Sequence, residues 1–207
     1  YRPNAFDNFD SILCVGPHHR KETRASEELN NLRPKSLIDA GYGVLDSILS
    51  SKYAMTDDLS VAKQRSKRVL IAPSWGEYGL LETKGTELIE VLLGAGYLVT
   101  VRPHYMTIRN HPRLLNELRK RFSSDPNFLL DTDMESQGTV HSTDIMISDW
   151  SGAALEFAFG LERPVLFIDM PKKVNNPHYT SIGLEPIEIG IRSQIGEVIS
   201  PDQLADV

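Results

Sequence analysis

Ile145-Met146-Ile147-Ser148-Asp149-Trp150-Ser151-Gly152-Ala153-Ala154-Leu155-Glu156-Phe157-Ala158-Phe159-Gly160 passes from strand to turn to helix without a spare residue. The apolar run 145–147 predicts a short strand, residues 148–152 a tight turn of small polar residues, and 152–159 a compact helix stopped at Gly160. A strand feeding directly into a helix is half of a β-α-β unit, and such units assemble into a parallel sheet.

The same alternation extends in both directions. Downstream, Pro164-Val165-Leu166-Phe167-Ile168 is a further strand. Upstream, 127–130 is a short strand, and Leu114, Leu115, Leu118 and Phe122 share one face of a helix that begins near Pro112. Tyr97-Leu98-Val99-Thr100-Val101 is a strand, and Leu88, Val91, Leu92 and Ala95 fall at i, i+3, i+4 and i+7 of a helix closed by Gly94 and Gly96. Val69-Leu70-Ile71-Ala72-Pro73 opens the series. The order predicts an α/β fold: a Rossmann-like parallel sheet with helices on both faces and right-handed crossovers.

Residues 1–50 form a separate stretch. Ser11-Ile12-Leu13-Cys14-Val15 is a strand stopped by Gly16-Pro17, followed by the basic loop His18-His19-Arg20-Lys21 and a polar helix over 22–32. A second strand, Ser36-Leu37-Ile38-Asp39-Ala40, closes at Gly41-Tyr42-Gly43. Residues 51–67 are polar and without period, which predicts a linker to a larger unit spanning 68–207.

Composition narrows the functional classes. Of 207 residues 41% are hydrophobic and 24% charged, with a net charge of −6 and no basic stripe, which argues against a nucleic-acid binder. The lone Cys14 excludes a disulfide within the chain; it reads as a small buried residue of a strand, in a reducing, cytosolic home. Neither CxxC nor HExxH occurs, and no apolar run approaches the ~20 residues of a membrane span. The start Tyr1-Arg2-Pro3-Asn4 is neither an initiator methionine nor a signal peptide, so a piece of a longer chain is expected, and Leu204-Ala205-Asp206-Val207 stops inside what could be a helix.

In an open parallel sheet ligands bind beyond the carboxyl ends of the strands. That rule selects the loops 73–82, 102–111, 131–134 and 148–152, and the one after Ile168. The 148–152 turn is the most informative, because N–H groups at a helix start attract anions and suit a diphosphate. Ser151 can cap the helix and donate to phosphate, Gly152 admits close approach, and Glu156, one turn in, can accept from two ribose hydroxyls. An ordinary serine cap beside a surface glutamate has the same spacing. Arg102-Pro103-His104, with Arg109 further along, would bring a cation and an imidazole to the same cleft, His104 as phosphate donor or general acid; a solvated loop is the plainer alternative. Trp75, Gly76, Tyr78 and Gly79 could pack on a base or simply stabilise a surface turn. Asp131-Thr132-Asp133 fits a turn or cap better than a metal site.

Taken together, Val99-Thr100-Val101-Arg102-Pro103-His104-Tyr105, Thr143-Asp144-Ile145-Met146-Ile147-Ser148-Asp149-Trp150-Ser151-Gly152, Glu156 and Arg163-Pro164-Val165 resemble the CDP-glycerol glycerophosphotransferase family, whose enzymes build teichoic acid-like polymers in the cell envelope. Phe9-Asp10 through Gly16-Pro17-His18-His19, with Gly41-Tyr42-Gly43-Val44-Leu45-Asp46, resemble the stretch before that family's second domain. Gly43, Trp150 and Gly152 depart from the pattern, which more often has proline, tyrosine and serine there.

The resemblance implies a GT-B architecture in which 68–207 is the nucleotide-binding second Rossmann-like domain and 1–50 the end of the first. It implies His104 as the functional histidine and Arg102, Asp149, Ser151, Gly152 and Glu156 as substrate or diphosphate contacts. It implies transfer of a glycerol-phosphate or related polyol-phosphate unit from a CDP-activated donor to an acceptor glycan or lipid-linked primer, with no metal, no cofactor and no nucleic acid. The catalytic base would come from the first domain. A cytoplasmic location is expected, with any attachment to the inner membrane face made by segments outside this sequence. Two other readings stay open: another GT-B sugar-nucleotide enzyme (a glycosyltransferase or 2-epimerase), and a non-catalytic nucleotide-binding or assembly module.

Overall fold

The computed structural model describes residues 2, 4–54, 66–133, 138–174 and 176–207. The N-terminal stretch builds β1 (Ser11–Cys14), α1 (Pro17–Leu29), β2 (Ser36–Asp39) and α2 (Gly43–Ala54). The two strands pair in parallel, Ser11 opposite Ser36 through Cys14 opposite Asp39. Cys14 is 1% exposed, as a small apolar strand residue should be.

His18, His19, Arg20 and Lys21 are not a loop. Helix α1 begins at Pro17, whose ring presets the backbone for a first helical turn, so the basic run occupies the start of the helix. The helix also stops at Leu29, earlier than the polar pattern suggested, and Asn31 turns the chain with a φ of 51°. Of the expected linker, residues 51–54 complete α2, and 55–65 lie outside the described residues.

The larger unit contains β3 (Arg68–Ile71), α3 (Leu80–Gly94), β4 (Leu98–Val101), α4 (Tyr105–Asn110), α5 (Pro112–Phe122), β5 (Phe128–Leu130), α6 (Gly138–His141), β6 (Ile145–Ser148), α7 (Gly152–Leu161), β7 (Val165–Ile168), α8 (Ile187–Gly190), α9 (Arg192–Ile195) and β8 (Gly196–Ile199). Its six strands lie in the order β5-β4-β3-β6-β7-β8, with parallel pairing throughout. The chain runs outward from β3 to β5, then returns to lay β6 against the other side of β3. A reversal of that kind leaves a crevice at the carboxyl ends of the two inner strands. Strand β8 had no counterpart in the sequence reading, since Gly196-Glu197-Val198-Ile199 is too short and mixed to stand out.

Alternation along the strands divides the core between the two faces of the sheet. Val69, Ile71, Val99, Val101 and Ile147 pack with α3 and α5 through Leu88, Leu92, Leu115, Leu118 and Phe122. Leu70, Met146, Val165 and Phe167 pack on the other face with Ala154, Phe157 and Leu161 of α7. Ile48 of α2 joins this second cluster, so the N-terminal stretch is anchored on α7. The chain ends in a 3-10 helix, Pro201–Asp206, started by a Ser200–Gln203 capping box and held by the buried Leu204.

Close approach of α2 and α7 depends on Gly160, where an added Cβ would lie 2.5 Å from Ile48 Cγ2. Gly160→Ala is expected to destabilise the fold by about 1–3 kcal/mol through overpacking. Urea unfolding of this variant, alone and combined with Ile48→Ala, checks the cause. If overpacking is responsible, the two changes combine to cost less than their sum.

Candidate functional site

The crevice is built by two loops that are far apart in sequence. Asp149, immediately after β6, is 1% exposed. Its carboxylate accepts from the Ser74 and Trp150 N–H groups at 2.6 Å each, and from the Leu80 N–H at 3.1 Å. Ser148 adds a hydroxyl bond to the Ala72 carbonyl at 2.8 Å. These contacts stitch the 72–80 loop and the start of α3 to the end of β6. Asp149 is therefore an internal brace rather than the expected ligand contact: its carboxylate is turned inward and engaged by backbone donors.

Beyond the brace, the chain turns outward. Ser151 caps α7, its hydroxyl accepting from the Ala153 N–H at 3.4 Å. Gly152 is exposed, and a Cβ there would meet nothing within 4 Å, so the first turn of α7 opens on free space. Glu156 does lie one turn in, but one carboxylate oxygen accepts from the Tyr42 hydroxyl at 2.5 Å. That hydrogen bond, reinforced by burial, pushes the phenol up to about 12. Tyr42 was passed over as a turn residue; its place at the end of β2, where ligand-facing loops emerge, was the available signal.

His104 caps α4, with Nδ1 accepting from the Met106 N–H at 3.0 Å. The ring proton is thereby assigned to Nε2, leaving a neutral imidazole with one N–H to give. Burial, then the nearby Lys173, lower its pKa below the ordinary histidine value, which also favours the neutral form. Trp75, from the 72–80 loop, stacks on the ring with centroids 6.1 Å apart.

Arg102 does not share this site. Its guanidinium lies 3.7 Å from the Asp131 carboxylate and donates to Thr139 Oγ1 at 3.3 Å and the Asp133 carbonyl at 3.0 Å. The cation expected beside His104 is paired on the β5–α6 side of the sheet. Asp131, bonded to the Asp133 N–H and the Thr139 hydroxyl, is a turn-forming residue, as its spacing suggested. Arg109 sits in the last turn of α4, where a cation complements the helix dipole.

Other cations reach the two tryptophans from the loop after β7 and from the start of α9. Lys173 Nζ stands 3.0 Å from the centroid of the Trp75 ring and donates to the Trp75 carbonyl at 3.0 Å. Arg192 lies 3.5 Å over the Trp150 ring and pairs with Asp169 at 2.7 Å. Sequence reading selected the loop after Ile168 but singled out neither residue, because neither belongs to a motif.

A cleft of about 930 Å³ opens between α1 and the 172–189 segment, lined by Phe6, His18, Glu22, Trp150, Lys173 and Tyr179 among others. Arg102, His104, Asp149, Ser151, Gly152 and Glu156 are not among its lining residues, so the cleft adjoins the crevice at Trp150 and Lys173 rather than containing it. Among the described residues, no three His, Cys, Asp or Glu side chains are gathered for a metal ion, and no helix is long and apolar enough to cross a membrane.

Residues 7–173 match the family model described as CDP-Glycerol:Poly(glycerophosphate) glycerophosphotransferase. No curated protein matches the sequence significantly. Among solved structures, UDP-GlcNAc 2-epimerase from Neisseria meningitidis, bound to UDP-GlcNAc, aligns with a TM-score of 0.55 at 15% identity, over 95% of this chain and 51% of its own. The Methanocaldococcus jannaschii UDP-GlcNAc 2-epimerase, in complex with UDP-GlcNAc and UDP, aligns at 0.56 and 12%, over 95% of this chain and 52% of its own. The wall teichoic acid polymerase TagF aligns at 0.43 and 16% over 95% of this chain and 51% of its own, too loosely to bear on the site. The chain thus spans about half the length of the structures it matches. The two epimerase alignments support the expected Rossmann-like sheet of a GT-B architecture, and at 12–15% identity they show the fold alone.

Proposed function

We propose, from the premise that the chain belongs to the CDP-glycerol:poly(glycerophosphate) glycerophosphotransferase family, that it is the donor-binding part of a transferase. The parent would move a glycerol-phosphate or related polyol-phosphate unit from a CDP-activated donor to an acceptor hydroxyl. Residues 68–207 would bind the nucleotide, and 1–50 would be the end of the first Rossmann-like domain.

The observation that carries this reading is the open first turn of α7 at the strand-order reversal, after β6, with the neutral His104 after β4 on the other side of β3. The N–H groups of that turn, with the Ser151 hydroxyl, would hold the diphosphate. The acceptor oxygen forms a bond to the distal phosphorus, the bond to the bridging oxygen breaks, and CMP leaves. The acceptor proton passes to a base outside this chain. His104 would give its Nε2–H to the departing phosphate oxygen, stabilising charge as it develops. The free carboxylate oxygen of Glu156 would accept from the ribose, with Tyr42 holding the side chain in place. A lipid-linked or glycan acceptor would put this chemistry at the cytoplasmic face of the membrane.

Calorimetric titration with CDP, CDP-glycerol and UDP tests the reading. Preference for cytidine ligands, weakened roughly tenfold by Ser151→Ala, is expected from the loss of a charge-assisted hydrogen bond. Preference for UDP would favour a sugar-nucleotide enzyme. Binding of none of the three would favour an assembly module.

A further inference from the structure

The loop after β7 carries two adjacent cations, Lys172 and Lys173, to which the donor-binding scheme assigns no part. Each stands over a tryptophan from a different side of the crevice. Lys172 Nζ is 5.9 Å from the Trp150 centroid, and Lys173 Nζ is 3.0 Å from that of Trp75. Trp150 follows β6 and Trp75 follows β3, so the dipeptide straddles the gap between the two inner strands.

The electrostatics of the crevice leave a task open. A diphosphate brings negative charge that N–H dipoles alone screen only in part, and departing CMP develops more. His104 is neutral and can supply a hydrogen bond but no net charge. Arg102 is paired with Asp131, and Arg192 is paired with Asp169 through one Nη while its Nε and other Nη are buried without a hydrogen-bond partner among the described residues. Lys173 makes no ion pair among the described residues; its ammonium rests on an aromatic ring and a backbone carbonyl. Those are weak partners compared with a phosphate oxygen, and they are readily exchanged for one. Glu82 lies close enough to act on both Lys173 and His104, with one carboxylate oxygen on the Thr107 hydroxyl and the other buried without a hydrogen-bond partner. Burial lowers the Lys173 pKa below its ordinary value, and that carboxylate opposes the shift in favour of the charged lysine.

We infer that Lys173 is a ligand-binding residue whose ammonium moves from Trp75 onto the phosphate oxyanion held at the first turn of α7, with Lys172 flanking it. Lys173 then supplies the positive charge that a metal or an arginine would otherwise bring to phosphoryl transfer, while Trp75 keeps the lysine and His104 in register. The assignment rests on the donor-binding reading of the site.

The test compares wild type, Lys173→Met and Lys173→Arg by calorimetry with inorganic pyrophosphate and with CDP, and follows the His104 ring by NMR across pH. Methionine keeps the stem over Trp75 and removes the charge. Affinity for both ligands is expected to fall roughly tenfold or more in Lys173→Met and to recover in Lys173→Arg. The His104 titration midpoint is expected to rise in Lys173→Met, because a repelling cation has gone. Unchanged affinity in Lys173→Met, with wild-type binding intact, overturns the role of Lys173 and leaves the donor-binding reading standing. An unmoved His104 midpoint overturns it too. Wild-type protein that binds neither pyrophosphate nor CDP sinks the donor-binding reading itself, and this assignment with it.

Discussion

Asp149→Ala is expected to destabilise the protein by about 2–4 kcal/mol, because it strips the acceptor from one buried and two part-buried backbone donors at a junction of two loops. Ser74, Leu80 and Trp150 all direct their N–H groups at this one carboxylate. Each donor left dry costs about 1–3 kcal/mol, and partial relaxation toward water keeps the total below the sum. Guanidinium unfolding measures the loss directly. Ser151→Ala, two residues away, provides the comparison: it removes a helix cap and should cost only about 1 kcal/mol. Similar unfolding midpoints for the two variants would show that the 72–80 loop finds other acceptors and that Asp149 is not its brace. Asp149→Asn should lie between them, since an amide keeps one acceptor oxygen but turns an NH2 group toward donors.

His104→Ala in the intact parent enzyme is expected to lower the rate of transfer by about 10²–10⁴-fold, the range typical of a lost proton-donating side chain. Stability should fall by only about 1 kcal/mol, the worth of the helix cap that His104 provides to α4. Rate and unfolding midpoint measured on the same preparation separate the two roles. Normal turnover with a weakened fold would reduce His104 to a helix cap. His104→Gln is the informative companion, because its amide can still present an N–H toward the crevice.

Much of this molecule was legible in the order of its residues. Apolar runs of four or five residues between helical periods announced a parallel sheet, and Val69-Leu70-Ile71 is buried on both faces as such a run requires. The strand–turn–helix from 145 formed with Ser151 as cap, although α7 runs through the expected stop at Gly160 to Leu161 and closes at a left-handed Glu162. These features are local: a helix or strand period and a capping side chain are encoded within a few residues.

Side-chain partners were not legible in the same way. Arg102 and His104 are two residues apart and were expected together, yet Arg102 turned to Asp131 because β5 lies beside β4 at that edge. Asp149 sits in a motif that reads as ligand-facing, but β6 packs against β3 and presents its carboxylate to the donors of the 72–80 loop. Tyr42 meets Glu156 across 114 residues of sequence, and Lys173 meets Trp75 across 98.

By itself the sequence determined the α/β class, the strand and helix periods, the cap at Ser151 and the family resemblance, since each depends on residues within a turn or two of one another. Tertiary structure alone decided which polar groups face the crevice and which are neutralised inside it. A side chain's partner depends on which strand is laid next to its own, and the order β5-β4-β3-β6-β7-β8 is a property of the assembled sheet and of no single segment.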